Sequence, residues 1–241
     1  MSFVGVDGCK KGWFAVTLTG EDKWQTGVFK DIRGVWEEFK GVKAILVDIP
    51  IGLKEKGSEE RECDVEARRL LHSKRASSVF RPPCRRAVYS SMDKASEVNF
   101  VVTGKRLSCQ TLNILQKIRE VDAFLLENKY ARSFLRETHP EICFWVLAGR
   151  RPMKHRKKEN RGFLERKEVL ESVFPRSKEI IEHPLTTYRR KDVARDDILD
   201  ALVLAITAKF GFNKVKTIPE GATRDSRGLL MEMVYYVPSI H

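Results

Sequence analysis

The sequence predicts an α/β fold, and three observations carry that expectation. Short β-rich segments joined by tight turns open the 241-residue chain; Ala44-Ile45-Leu46-Val47 is an apolar run without alternation; and a helix near the end is apolar on almost every side. An unbroken apolar run is the pattern of a strand covered on both faces. A helix apolar all round packs inside a fold rather than on its surface.

Phe3-Val4-Gly5-Val6-Asp7 reads as the first strand, and residues 8–12 supply turn chemistry. Residues 13–19 are rich in β-formers, Gly20-Glu21-Asp22 turns the chain, and residues 23–30 form a third strand. Connections this short predict an antiparallel meander. Residues 31–40 fit a helix with Ile32, Val35, Trp36 and Phe39 on one face, leading to the buried run that ends at Asp48. Charged and irregular sequence follows. Helices are expected over 59–73, 92–102 and 110–128, with an irregular stretch at 77–83 and a short strand over 131–137 entering His139-Pro140-Glu141. Residues 150–161, with seven Lys or Arg and one acid, read as an exposed loop. Helices over 162–173 and 193–209 and a last edge strand over 233–237 complete the expectation. Without a linker or repeat, residues 1–241 read as one domain with a helical insertion at about 54–130.

Lys and Arg number 45 against 33 Asp and Glu, a formal net charge of +12, which favours a polyanionic partner. The hydrophobic fraction of 42% excludes wholesale disorder. No apolar run approaches the roughly 20 residues of a membrane helix, so no membrane role is expected. The five scattered cysteines contain no C-x-x-C pair and read as reduced thiols, which together with the lack of a signal-like start places the protein in the cytoplasm.

The acids carry the chemistry. Asp7 and Asp48 each end an apolar strand. A helical crossover makes the fourth strand parallel to the first; if the two are neighbours, both acids lie at the carboxyl edge where open α/β sheets bind ligands. An Asp ending a strand is also an ordinary turn residue. Asp196, Asp197 and Asp200 share one helix face through i,i+3 and i,i+4 spacing. Capping explains the first two. It does not explain Asp200, which lies among Leu199, Ala201, Leu202 and Val203, where a carboxylate needs a partner or a metal. Converging carboxylates repel one another, and Mg²⁺ or Mn²⁺ is the natural compensator of an all-oxygen set.

Together these residues resemble a known family. Val4-Gly5-Val6-Asp7-Gly8-Cys9 with Gly12-Trp13, Asp48-Ile49-Pro50-Ile51-Gly52-Leu53, Cys63-Asp64 with Ala67-Arg68, and Ser77-Ser78-Val79-Phe80 are similar to the family catalogued as domain of unknown function 429, described as predicted ribonuclease-H-like nucleases. His139-Pro140-Glu141 with Phe144, Gly162 with Glu165-Arg166, and Asp196-Asp197 with Asp200-Ala201 extend the likeness to about Thr207. The resemblance implies a ribonuclease-H-like mixed five-stranded sheet with flanking helices. It implies Asp7, Asp48, Asp197 and Asp200 as ligands of two Mg²⁺ or Mn²⁺ ions that hydrolyse a phosphodiester, and it raises Glu141 as a further catalytic acid. Resolvases on the same fold work as dimers, so a homodimer is an open expectation.

Weaker candidates for contact with a nucleic acid, DNA or RNA, are Arg75, Arg81, His139, Lys154 and Lys157; Arg85, Arg86, Arg156 and Lys158 belong to the same basic stretches. Each is equally explained as a solvated surface charge, and His139 as a turn residue satisfied locally. Glu137 reads as a surface or core-edge acid, and Trp13, Trp24, Trp36 and Trp145 as core or rim. The competing functions are a non-catalytic nucleic-acid binder, a hydrolase of small phosphate esters, and a nucleotide-binding protein of the actin and sugar-kinase type. The last lacks the second Gly-rich loop it needs.

Overall fold

The structure, a computed structural model, describes residues 1–238. Strands β1 (Ser2–Cys9), β2 (Gly12–Thr19) and β3 (Lys23–Phe29) form the expected meander, followed by helix α1 (Ile32–Phe39) and strand β4 (Ala44–Val47). Helices α2 (Glu62–Arg75), α3 (Arg85–Val88), α4 (Ala95–Thr103) and α5 (Cys109–Glu127) make up the inserted segment. Then come strand β5 (Leu135–Glu137), helices α6 (Pro140–Leu147), α7 (Asn160–Val173), α8 (Ser177–Thr187) and α9 (Arg195–Gly211), and the hairpin β6 (Val215–Arg224) and β7 (Leu230–Tyr236).

The main sheet has the order β3-β2-β1-β4-β5, antiparallel through β1–β2 and β2–β3, parallel through β1–β4 and β4–β5. It is a mixed five-stranded sheet, and β4 does lie beside β1. The ladder runs one residue past β4, where the Asp48 N–H donates to the Val6 carbonyl (3.1 Å).

Side-chain alternation divides the sheet into two apolar layers. Val4, Val6, Ile45 and Val47 face α1 and α5 with Trp36, Leu115 and Ile118. Phe3, Cys9 and Leu46 face α9. By the same period of two, Gly5 and Asp7 of β1 and Asp48 beyond β4 belong to the α9 side. Helix α9 is covered by the sheet on one side and by α6, α7 and α8 on the other, which is why its sequence is apolar all round. Gly5 decides how close the helix comes. A Cβ there would stand 2.1 Å from the Ala201 carbonyl oxygen and 2.2 Å from the Ala205 nitrogen. Backbone therefore meets backbone, and small residues on both partners draw Asp200 down to the strand that carries Asp7.

The structure corrects three expectations and adds two elements that the sequence does not signal. Residues 233–237 are no edge of the main sheet: β7 pairs with β6 in a separate two-stranded sheet. Strand β6 gives no strand signal because Pro219 and Gly221 interrupt its run. Residues 139–141 open helix α6 instead of a simple turn; His139 is its N-cap, its Nδ1 accepting from the Glu141 N–H (3.2 Å), and Pro140 occupies a first-turn position where its missing N–H costs nothing. Strand β5 is only three residues long, because residues 131–133 form a 3₁₀ turn. Helix α8 gives no clear helical signal because Pro184 lies inside it.

Candidate metal centre

Asp7 is buried at the end of β1, with Oδ1 accepting from the Gly8 N–H (2.8 Å). Asp48 lies beside it. Asp196 and Asp197 stand in the first turn of α9, and Asp200 one turn on is buried at 1% exposure. Asp197 caps its helix, Oδ2 accepting from the Ala194 N–H (2.8 Å), so capping and clustering coexist in that residue. Burial and mutual repulsion leave a common mark. Desolvation first, then the charges of Asp200, Asp197 and Asp48, raise the Asp7 carboxyl well above its ordinary range. Desolvation raises Asp48 as well. Asp197 is pushed up to about 7 and Asp200 to about 6, again by burial before anything else.

The compensating charge comes from the chain. The Lys157 ammonium donates to Asp200 Oδ2 at 2.5 Å and stands 3.9 Å from Asp196 Oδ2. Burial alone would lower its pKa, but Asp200, Asp7 and Asp48 outweigh burial and raise it well above the lysine range. Lys157 is thus not the free phosphate-binding cation of an exposed loop. Its stem is part-exposed and its head is engaged among the acids.

A set of anchors aims it there. The backbone N–H groups of Lys154 and His155 donate to the Glu165 carboxylate (2.7 and 2.9 Å). Buried Arg166 donates to the His155 and Gly162 carbonyls (3.1 and 3.0 Å) and forms an ion pair with Glu141. A Cβ on Gly162 would lie 1.9 Å from the Arg156 carbonyl oxygen, so only glycine lets this loop lie against α7. The motif residues Gly162, Glu165 and Arg166 therefore explain where Lys157 points.

A second ionic network, wholly buried, fixes the chain just after Asp48. Arg61 forks onto Asp64 (2.8 and 2.6 Å) and onto Glu137 (2.8 and 2.7 Å), and also donates to the Ile51 and Gly52 carbonyls (2.9 and 3.2 Å). Glu137, far from being an edge acid, accepts from the Ile51 N–H (2.6 Å), and burial pushes it up to about 7. Nothing in the sequence flags this network except the Cys63-Asp64 motif.

The remaining candidates separate. Glu141 is held by Arg166, with Arg75 at 3.9 Å from its other oxygen, so it faces the centre as one half of an ion pair. His139 and Arg75 line the groove beside the acids. Arg81 does not: it donates to the Ser58 carbonyl (2.7 Å) beside a different small hollow. Lys154 contributes its backbone and has an exposed side chain. Arg85 is buried against Asp122 and Asp225, where it ties α5 to the C-terminal hairpin.

The donor set is all oxygen, as a hard divalent ion requires. Asp200 Oδ1 is buried without a hydrogen-bond partner, an acceptor still asking for a cation. Among the described residues no group of three or more His, Cys, Asp or Glu stands in ligand geometry. The chemistry of the donor set suits such an ion, while the place beside Asp200 Oδ2 is taken by the Lys157 ammonium.

One family model, described as "Protein of unknown function (DUF429)", matches residues 5–224. No curated protein and no solved structure matches the chain.

Proposed function

The chain belongs to the DUF429 family, and from that premise we propose that it is a divalent-metal-dependent nuclease that hydrolyses phosphodiester bonds of a nucleic acid. The observation behind this reading is the gathering of Asp7, Asp48, Asp197 and Asp200 at the carboxyl edge of two parallel strands, with one oxygen of Asp200 buried and unpartnered. These four carboxylates hold Mg²⁺ or Mn²⁺. The ions supply an activated water and charge stabilisation of the leaving oxygen. Asp7 and Asp200 come from rigid, closely packed elements, and the Arg61 network fixes the segment after Asp48, so their positions are set before substrate arrives. Arg75, Arg156 and Lys158 bind phosphate oxygens along the groove.

A second reading, a non-catalytic binder, draws support from Lys157, which balances the acids without any metal. One experiment separates the two: labelled oligonucleotides incubated with wild type and Asp7→Asn in Mn²⁺, Mg²⁺ and EDTA. Metal-dependent cleavage by the wild type and none by the variant is the expected result. Cleavage in EDTA, or wild-type rates from Asp7→Asn, would overturn the metal-nuclease reading.

A further inference from the structure

The groove leading to the acids is asymmetric in its chemistry. Its volume is about 680 Å³, and it continues into a recess of about 200 Å³ that Asp7, Asp48 and Asp197 line. One wall is the first turns of α5, where Gln110 and Asn113 at i,i+3 spacing present exposed amides. Ile114 on the same helix and part-exposed Phe80 add apolar surface to the lining of both the groove and the recess. Exposed Arg156 and Lys158 line the groove as well. Glu159, Glu141 and Asp196 also line it; Glu141 is neutralised by Arg166, and Asp196 stands 3.9 Å from Lys157.

We infer that this groove binds a single, unpaired strand, with a base against Phe80 and its polar edge toward Gln110 and Asn113. The inference rests on the nuclease reading for its substrate class and adds the strandedness. The depth of the site supports it first. The acids are on the floor, Asp200 at 1% exposure, so a phosphate must descend to them. A volume within the range of small-ligand clefts, about 300 to 1,000 Å³, receives one or two nucleotides and not both strands of a rigid helix. The wall chemistry also suits an unpaired strand: an aromatic ring matches the face of a base, which a duplex keeps stacked, with free amides beside it to meet the base edge.

The test measures binding in EDTA, where the proposed cleavage does not run, by fluorescence anisotropy. The probes are a single-stranded oligonucleotide, as DNA and as RNA, and the duplex of the same sequence. The wild type is expected to bind single strands at least tenfold more tightly than duplex. Phe80→Leu is expected to lose about tenfold in single-strand affinity, the loss of one stacked base, while leaving duplex binding unchanged. Asn113→Ala, at an exposed helix position where alanine favours folding, is expected to lose a smaller factor for single strands only. Equal or tighter duplex binding, or single-strand affinity unmoved in both variants with an unchanged melting temperature, overturns the inference. Cleavage in Mn²⁺ is then read separately. Duplex bound and cut as well as single strand removes this inference and keeps the nuclease. Single strand bound through Phe80 and never cut keeps the groove and removes the nuclease.

Discussion

At the scale of single residues, Asp200 and Lys157 form a pair whose two deletions differ in sign. Asp200 is one of four repelling carboxylates sharing one ammonium. Asp200→Asn leaves Lys157 with Asp7 and Asp48, so the metal-free protein is expected to melt at the same temperature or higher. Lys157→Met leaves the acids without their nearest cation, and because that lysine is 38% exposed its melting point in EDTA at pH 8 is expected to fall by an amount corresponding to about 1 to 3 kcal/mol. Mn²⁺ should raise the midpoint of Lys157→Met more than that of wild type, and that of Asp200→Asn less. Thermal melts with and without Mn²⁺ check both. A loss of about 3 kcal/mol in Asp200→Asn with an unchanged Mn²⁺ response would make Asp200 a structural ion-pair member and no ligand.

At the scale of elements, the packing of β1 against α9 is the decisive one. Gly5→Ala forces a methyl group into the backbone of Ala201 and Ala205. Overpacking of this kind costs about 3 kcal/mol, and by lifting α9 it separates Asp200 from Asp7. Loss of stability together with a weaker Mn²⁺ response is the expected outcome, read by denaturant titration and calorimetry; a stable Gly5→Ala with full Mn²⁺ affinity would mean that α9 does not seat the acid. The same packing shows what a sequence discloses. Strand alternation and the apolar α9 are plain in the chain and single out Asp7, Asp48 and Asp200, but they leave open which strand β4 joins, and the β1–β4 pairing is what brings the acids together. The hairpin of β6 and β7 and the helix α8 are hidden because Pro219, Gly221 and Pro184 break the periodic signal that would reveal them. The loop carrying Lys157 is legible as basic, but not as inward-pointing. Its direction is set by contacts of Gly162, Glu165 and Arg166 with the backbone of residues 154–156, and hydrophobic periodicity does not encode those.

The whole molecule responds to two solution variables. Asp197 at about 7, Asp200 at about 6 and the raised Asp7 and Asp48 all have folded values above the unfolded range near 4. The folded protein therefore holds more protons than the unfolded chain in this interval. Without metal, stability from these groups is present at acid pH and is lost as pH rises through about 6 to 7; the midpoint in EDTA should climb as pH falls from 8 to 5. Glu55 and Asp225, lowered by Arg85 against the opposing effect of burial, add stability that disappears only below about pH 4, outside that window. Saturating Mn²⁺ takes the place of the protons and should flatten the climb, and Asp200→Asn should reduce it. A midpoint that falls between pH 8 and 5 in EDTA would contradict the crowding of the acids. The second variable is salt. With a net charge of +12, affinity for nucleic acid should fall steeply and linearly on a log–log plot against salt. Replacing Arg156 and Lys158 together should reduce that slope by about 2, one for each phosphate no longer neutralised. A flat salt response would exclude a polyanion as the main partner.

The lysine among the acids also has an arithmetic consequence. A competitor fixed to the chain has a local concentration that dilution does not change. The titration of the ion that competes with the lysine should therefore keep its shape at every protein concentration, with its midpoint raised by one constant factor, the ratio of lysine-in to lysine-out populations plus one. The anchoring of the Lys154 and His155 backbone to Glu165 sets that ratio. A chain built this way would respond to a divalent ion in graded fashion, over a concentration range that the 154–166 segment shifts upward.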